Sequence, residues 1–183
     1  RSWSLPADLP IVAVVGSLSD EKRPGLAIAA VSALAGVHLV LAGDGPLRPD
    51  CEHLSDRLAR GRVHFLGSVE DIISVYHCAD VVLLTSHTEG MPGVLIEAGL
   101  CGVPVVSTDV GAVREIVLDG TSGFVVPADA DAANVASRVA EVLTFDADQR
   151  QATRQLCIAR FDTDGVVTAW SEYLTGKAQR IRD

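Results

Sequence analysis

Short apolar runs recur along this chain with room for one helix between each pair, and this spacing restricts the fold more than any other feature. The runs are Ile11–Val15, His38–Ala42, Val63–Gly67, Asp80–Leu84, Val103–Ser107 and a last one reaching Val126. They are nearly continuous in Val, Leu, Ile and Ala, the pattern of strands buried on both faces. The stretches between them read as helices at 24–34, 48–59, 69–78 and 94–101, with a further amphipathic helix at 132–144 after the last run. Parallel neighbours in a sheet need a crossover of helix length between them. Six such units predict an α/β fold: a Rossmann-like, open, six-stranded parallel sheet with helices on both faces. Ligand then lies beyond the carboxyl ends of the strands, where the strand order reverses. The loops after the first and fourth runs should converge there.

The loop after the fourth run is the most informative stretch: Thr85-Ser86-His87-Thr88-Glu89-Gly90-Met91-Pro92-Gly93-Val94-Leu95-Ile96-Glu97-Ala98. It feeds the amino end of a helix, whose first N–H groups lack internal partners and carry a partial positive charge. That is an anion site suited to phosphate. Gly90 and Gly93 are expected to allow a sharp turn and close approach of a ligand. Glu89 on the loop and Glu97, placed in the first helical turn, would line one mouth, because helical side chains lean toward the amino end. Carboxylates beside a phosphate site make sense if the phosphate carries hydroxyl-rich groups, since they accept hydrogen bonds from vicinal diols. This points to a nucleoside diphosphate sugar. The plainer alternatives stay open on these residues alone: Glu97 could serve the helix dipole, and Glu89-Gly90 could be a solvated turn. His87 lies two residues from Glu89 and is a further candidate.

The first loop runs Gly16-Ser17-Leu18-Ser19-Asp20-Glu21-Lys22-Arg23-Pro24. Lys22 is either a point charge for phosphate or a solvated lysine. The second run ends in Gly43-Asp44-Gly45-Pro46. It lacks the third glycine of a dinucleotide fingerprint, which argues against a nicotinamide enzyme.

The segment Glu89-Gly90-Met91-Pro92-Gly93-Val94-Leu95-Ile96-Glu97-Ala98 resembles the E-G-F-P-x-V-x-x-E-A signature of retaining glycosyltransferases with two Rossmann-like domains, the GT-B fold. It is most similar to family 4, which includes sucrose synthase-like and mannosyl-transferring enzymes. The likeness extends from about Val12 to about Pro127. The first loop is similar to that family's G-R-L-x-x-x-K, with Ser17 where the family has Arg and Arg23 where it usually has Gly. Arg23 is the nearest cation that could compensate. Gly43 to Pro46 looks like the family's turn near the nucleoside. Asp109 to Val117 resembles G-G-x-x-E-I-V, with Ala112 for the second Gly and Glu115 in a structural place. The resemblance implies a donor-binding site made of Gly16, Ser17, Lys22, Glu89, Gly90, Gly93, Val94, Leu95 and Glu97. Glu97 would bind the ribose hydroxyls. The amides near Gly93, Val94 and Leu95, with Lys22, would hold the diphosphate. Glu89 would face the transferred sugar, with Glu89 and Lys22 acting in catalysis. The donor would be a UDP-, GDP- or ADP-sugar, and no metal or other cofactor is expected. The acceptor site would belong to an amino-terminal domain absent from this chain, so the chain alone should bind donor weakly and transfer little. Ser17 and the absent half also keep open a non-catalytic nucleotide-sugar-binding or oligomerising module. A nucleotide-sugar epimerase of the same architecture is the weaker third option.

Residues 1–10 read as a lead-in or linker, 11–175 as the donor-binding domain and 176–183 as a tail. The composition is 48% hydrophobic and 21% charged, which is globular. Aromatics make up only 4%, so Val, Leu and Ala must carry the core. A net charge of −9 argues against nucleic acid, which needs a basic stripe. Cys51, Cys78, Cys101 and Cys157 have no metal or redox spacing and are expected to be reduced, mostly buried thiols of a cytoplasmic protein. No apolar run is long enough to cross a membrane, although the whole enzyme could sit at the inner membrane face. His38, His53, His64 and His77 read as ordinary packing or surface residues. Helix starts are expected at Asp146 and Thr163, and Trp170, Tyr173 and Leu174 suggest an aromatic-anchored last helix.

Overall fold

A computed structural model describes residues 3, 5–162, 165, 167, 168 and 171. The strands are β1 (Ile11–Val15), β2 (His38–Ala42), β3 (Val63–Gly67), β4 (Val81–Leu84), β5 (Val105–Thr108) and β6 (Gly123–Val126). The helices are α1 (Pro24–Ser32), α2 (Arg48–Leu58), α3 (Ile72–Cys78), α4 (Gly93–Leu100), α5 (Val113–Ile116), α6 (Ala132–Val142) and α7 (Ala147–Phe161). All six strands are parallel, in the order β3-β2-β1-β4-β5-β6. The expected sheet is thus present. The order reverses between β1 and β4, which puts the loops after those two strands side by side.

Successive strand residues point to opposite faces, and the core divides accordingly. Val12, Val14, Leu39, Leu41, Leu83 and Val106 pack with Ala27, Ile28 and Val31 of α1 and Val135, Val139 and Val142 of α6. Ala13, Val40, Ala42, Val82, Leu84 and Val105 pack with Val75 and Tyr76 of α3, Leu95 and Ala98 of α4 and Val113 of α5. Trp3 and Leu5, before β1, lie partly buried against this second layer.

Small residues set the distances between elements. A Cβ built on Gly99 of α4 would sit 2.1 Å from Cys157 Sγ of α7, so the two helices can pack this closely only with glycine there. The Arg62 guanidinium closes the carboxyl end of α1. It donates to the carbonyls of Ser32 (3.0 Å), Leu34 (2.9 Å) and Val37 (2.9 Å), groups that the helix cannot satisfy itself.

Some boundaries differ from the sequence reading. α3 starts at Ile72, not Val69, because Asp71 caps it, accepting from the Ser74 amide. The start at Asp146 is present and carries a capping box with Gln149. Thr163, Trp170, Tyr173, Leu174 and the tail 176–183 lie outside the described residues. Cys51 and Cys157 are buried thiols and Cys101 is half-buried, while Cys78 is exposed. His38 and His64 are not independent packing residues: His38 Nδ1 and His64 Nε2 are 2.9 Å apart and the rings stack. Burial holds both below the usual histidine range, helped by the Arg62 charge at His38 and by His38 at His64. No helix among the described residues is long and apolar enough to cross a membrane.

Candidate functional site

Three loops meet at the carboxyl edge of β1 and β4. Thr85, directly after β4, donates to the carbonyls of Lys22 (2.9 Å) and Arg23 (3.0 Å). The His87 amide donates to the Glu21 carbonyl at 2.8 Å. The loop after β5 closes the other side. Thr108 donates to the Ser86 carbonyl at 2.7 Å, and the Ala112 amide to that of Gly90 at 2.8 Å. Gly111 (φ 55°) presses so close that a Cβ there would lie 2.3 Å from the carbonyl oxygens of Glu89 and Gly90. Glycine is therefore required on two counts, conformation and space. The loop after β2 also packs backbone to backbone on the first. A Cβ on Gly43 (φ 149°) would lie 1.8 Å from the Gly16 carbonyl oxygen, and one on Gly45 2.5 Å from that of Leu18. Loop packing alone accounts for both glycines.

This framework brings Lys22 to Glu89, 67 residues apart in sequence, with Nζ 2.7 Å from Oε1. Ser86 donates to the same oxygen at 2.6 Å. The Glu89 side chain is 11% exposed and that of Lys22 27%, so the pair is too sheltered for a merely solvated turn. Glu97 lies on α4 and is exposed. Its Oε2 accepts from the Tyr76 hydroxyl at 2.6 Å, and its Oε1 lies 3.6 Å from the point a Gly93 Cβ would occupy. Its carboxylate therefore lies back toward the amino end of the helix. Burial and the adjacent Glu97 carboxylate push the Tyr76 phenol well above the ordinary tyrosine range, so it remains a donor.

The amino end of α4 is chemically bare. Pro92 supplies no side-chain cap, and the first turn carries no acid. The amides of Gly93 and Val94 have no hydrogen-bond partner among the described residues.

Several expectations need correction. Glu97 is the fifth residue of α4, one turn further in than expected. The Leu95 amide is not available, because it donates to the Pro92 carbonyl at 3.1 Å. Neither Gly90 nor Gly93 has a positive φ, so neither makes a turn that other residues could not. Their value is open space: nothing lies within 4 Å of a Cβ on Gly90. Arg23 does not take the place of the missing arginine at Ser17. Its guanidinium donates to the carbonyls of Ala128 (2.8 Å) and Ala130 (3.3 Å). Ser17 is exposed and hydrogen-bonded to Ser19 at 3.1 Å. The polar contact of the exposed His87 ring is with Arg23, at 3.4 Å, and not with Glu89. Glu115 is exposed, and its backbone carbonyl accepts from Arg160.

Among the described residues, no group of three His, Cys, Asp or Glu could hold a metal ion. The sequence does contain Asp-x-Asp spacings, the pattern of an acidic metal motif, at Asp129–Asp131 and Asp146–Asp148. Asp131 and Asp146 are helix caps, accepting from the amides of Asn134 and Gln149. Asp162–Asp164 extends outside the described residues. The sequence reading also missed Ser86, Tyr76 and Gly111, since a contact across tens of residues leaves no periodic signal.

Comparison with known proteins gives the same picture of the fold. A family profile described as "Glycosyl transferases group 1" matches residues 9–144. A D-inositol 3-phosphate glycosyltransferase of Mycolicibacterium smegmatis is 38% identical over 149 residues, 77% of this chain and 34% of that protein. Among solved structures, sucrose-phosphate synthase from Thermosynechococcus elongatus superimposes with a TM-score of 0.83 at 28% identity, over 94% of this chain and 46% of that one. Anabaena HepE in complex with UDP does so with a TM-score of 0.85 at 26% identity, over 93% and 50%. The chain thus spans about a third of the curated relative and about half of these solved chains.

Proposed function

The chain belongs to the group 1 glycosyltransferases, and we propose that it is the carboxyl-terminal, donor-binding half of a retaining, family 4-like enzyme that takes a nucleoside diphosphate sugar. One observation carries this reading: the Gly93 and Val94 amides are uncapped, the Glu97 carboxylate lies back toward that helix end, and the Lys22–Glu89 pair sits at the loop that leads into it, beside the β1/β4 reversal; we read these groups as the walls of one opening. The amides and Lys22 are suited to a diphosphate, and Glu97 to the ribose diol. Gly16, Ser17 and Gly90 are read as bordering the same opening. Glu89, held by Ser86 and Lys22, faces the transferred sugar.

Transfer displaces a nucleoside diphosphate. Charge grows on its phosphate oxygens as the bond to the sugar breaks, and fixed amides with a lysine stabilise that charge without reorganising. Lys22 is shared: phosphate must compete with Glu89 for it, and Ser86 keeps Glu89 in place when the ammonium moves. No metal is invoked. HepE has been solved with UDP and with UDP-glucose, which favours a uridine donor here. The acceptor site belongs to a further domain, and the enzyme works in the cytoplasm or at the inner membrane face.

The test is calorimetric titration of the chain with UDP, GDP and ADP, repeated on Lys22→Ala. Saturable binding of one nucleotide, weakened about tenfold or more by the substitution, is the expected result. No binding by the folded chain contradicts it. The exposed Ser17 in place of a phosphate-binding arginine favours a second reading, a nucleotide-sugar-binding module without catalysis. Joining the chain to its acceptor half and finding binding without transfer would select that reading. Transfer by the isolated chain would overturn the division of labour proposed here.

A further inference from the structure

Tyr76 is 0% exposed, yet its hydroxyl reaches a carboxylate at the opening. The ring lies in the apolar layer that includes Leu95 and Ala98, and only its oxygen meets a polar group, Glu97 Oε2 at 2.6 Å. An ionised carboxylate accepts and cannot donate, so the phenol is the donor. A buried hydroxyl without a partner is costly, which makes the contact persistent. Glu97 is otherwise an exposed, flexible side chain that would sample several rotamers. The bond removes that freedom and leaves Oε1 over the open first turn of α4, next to Gly93. Each carboxylate oxygen has two acceptor sites, so Oε2 can also accept a further hydroxyl.

We propose that Tyr76 is a positioning residue for ribose recognition: it fixes Glu97 in the orientation that accepts both hydroxyls of the nucleoside diol. This rests on the donor-site reading above. A phenol that merely satisfies itself on a nearby carboxylate would support the fold but would not affect discrimination between sugars. The two roles therefore separate in a binding comparison.

The experiment measures the affinity of UDP and of its 2′,3′-dideoxy analogue for the wild-type chain, Tyr76→Phe and Glu97→Ala, with a thermal melt of each. Phenylalanine keeps the ring and removes only the hydroxyl. Wild type is expected to prefer UDP about tenfold or more, the worth of charge-assisted bonds to a diol. Tyr76→Phe should lose roughly three- to tenfold in UDP affinity, the entropy of an unfixed side chain. It should lose nothing toward the dideoxy analogue, and Glu97→Ala should abolish the preference. If Tyr76→Phe keeps the wild-type preference, or weakens both ligands equally, while Glu97→Ala abolishes it, the positioning role is wrong and the donor site stands. If wild type binds none of UDP, GDP and ADP, or Glu97→Ala retains the preference, the donor-site reading fails and this inference fails with it; if GDP or ADP is the nucleotide bound, that nucleotide and its 2′,3′-dideoxy analogue are the pair compared.

Discussion

The helices of this sheet begin in two different ways. α3, α6 and α7 start with an aspartate, Asp71, Asp131 and Asp146, whose side chain accepts from an amide of the first turn. α2 and α5 lack such a cap but place an acid, Asp50 or Glu115, in that turn. α1 and α4 have neither. These are the two helices that follow β1 and β4, on either side of the strand-order reversal. Where a helix serves only the fold, a carboxylate neutralises its amino end. Where it borders the opening, that end is left positive, which weakens the isolated helix by about 1 kcal/mol and leaves the charge for a ligand.

Reversing that difference should have the largest effect. Gly93→Asp puts a carboxylate at the bare end of α4, where the nearest atom to the new Cβ is Glu97 Oε1 at 3.6 Å, an ordinary contact. Like-charge repulsion should reduce UDP affinity at least about thirtyfold, while the melting temperature moves by no more than about 3 °C. Calorimetry and a thermal melt check both. An unchanged affinity would mean that the bare end has no ligand role. Next comes the frame that holds Glu89. Gly111→Ala should cost about 1–3 kcal/mol in denaturant unfolding and weaken UDP as well, since the new methyl displaces the 89–90 backbone. Asp146→Ala tests the other class of helix. It should cost about 1 kcal/mol and leave nucleotide binding unaltered, and a change in binding would dissolve the distinction.

The smallest effect is expected far from the opening. His38 and His64 are held below the usual histidine range, so the folded pair stays neutral where the unfolded chain takes up protons. Stability from this pair is present above the unfolded pKa of about 6.5 and is lost as pH falls through it toward the lower folded values. Unfolding midpoints between pH 7.5 and pH 5.5 should therefore decline, and less steeply in His64→Gln.

The sheet was legible because continuous apolar runs and intervening helical periods are local signals, and β1 to β6 fall where those runs lie. The loops that form the opening were legible for the same reason, since they follow β1 and β4. What could not be read is how the loops grip each other. Tyr76 gives no motif, and its partner is Glu97 on another helix. Gly111 looks like one more turn glycine until its contact with Glu89 is seen. The amide of Leu95 reads as equivalent to those of Gly93 and Val94, and a single bond to Pro92 removes it. Arg23 sits beside Lys22 in sequence, but a backbone at φ 51° turns it away to the carbonyls of Ala128 and Ala130.

The central claim is that the uncapped end of α4 receives the phosphates of a nucleotide. The most direct test is amide-resolved NMR of the nitrogen-15-labelled chain during titration with UDP. The account predicts the largest, saturable shifts at Gly93 and Val94, with smaller ones around Lys22 and Glu89, and little change at the Asp-capped starts of α6 and α7. Saturable shifts that leave Gly93 and Val94 unmoved, or no shifts with millimolar UDP, GDP or ADP, would contradict it.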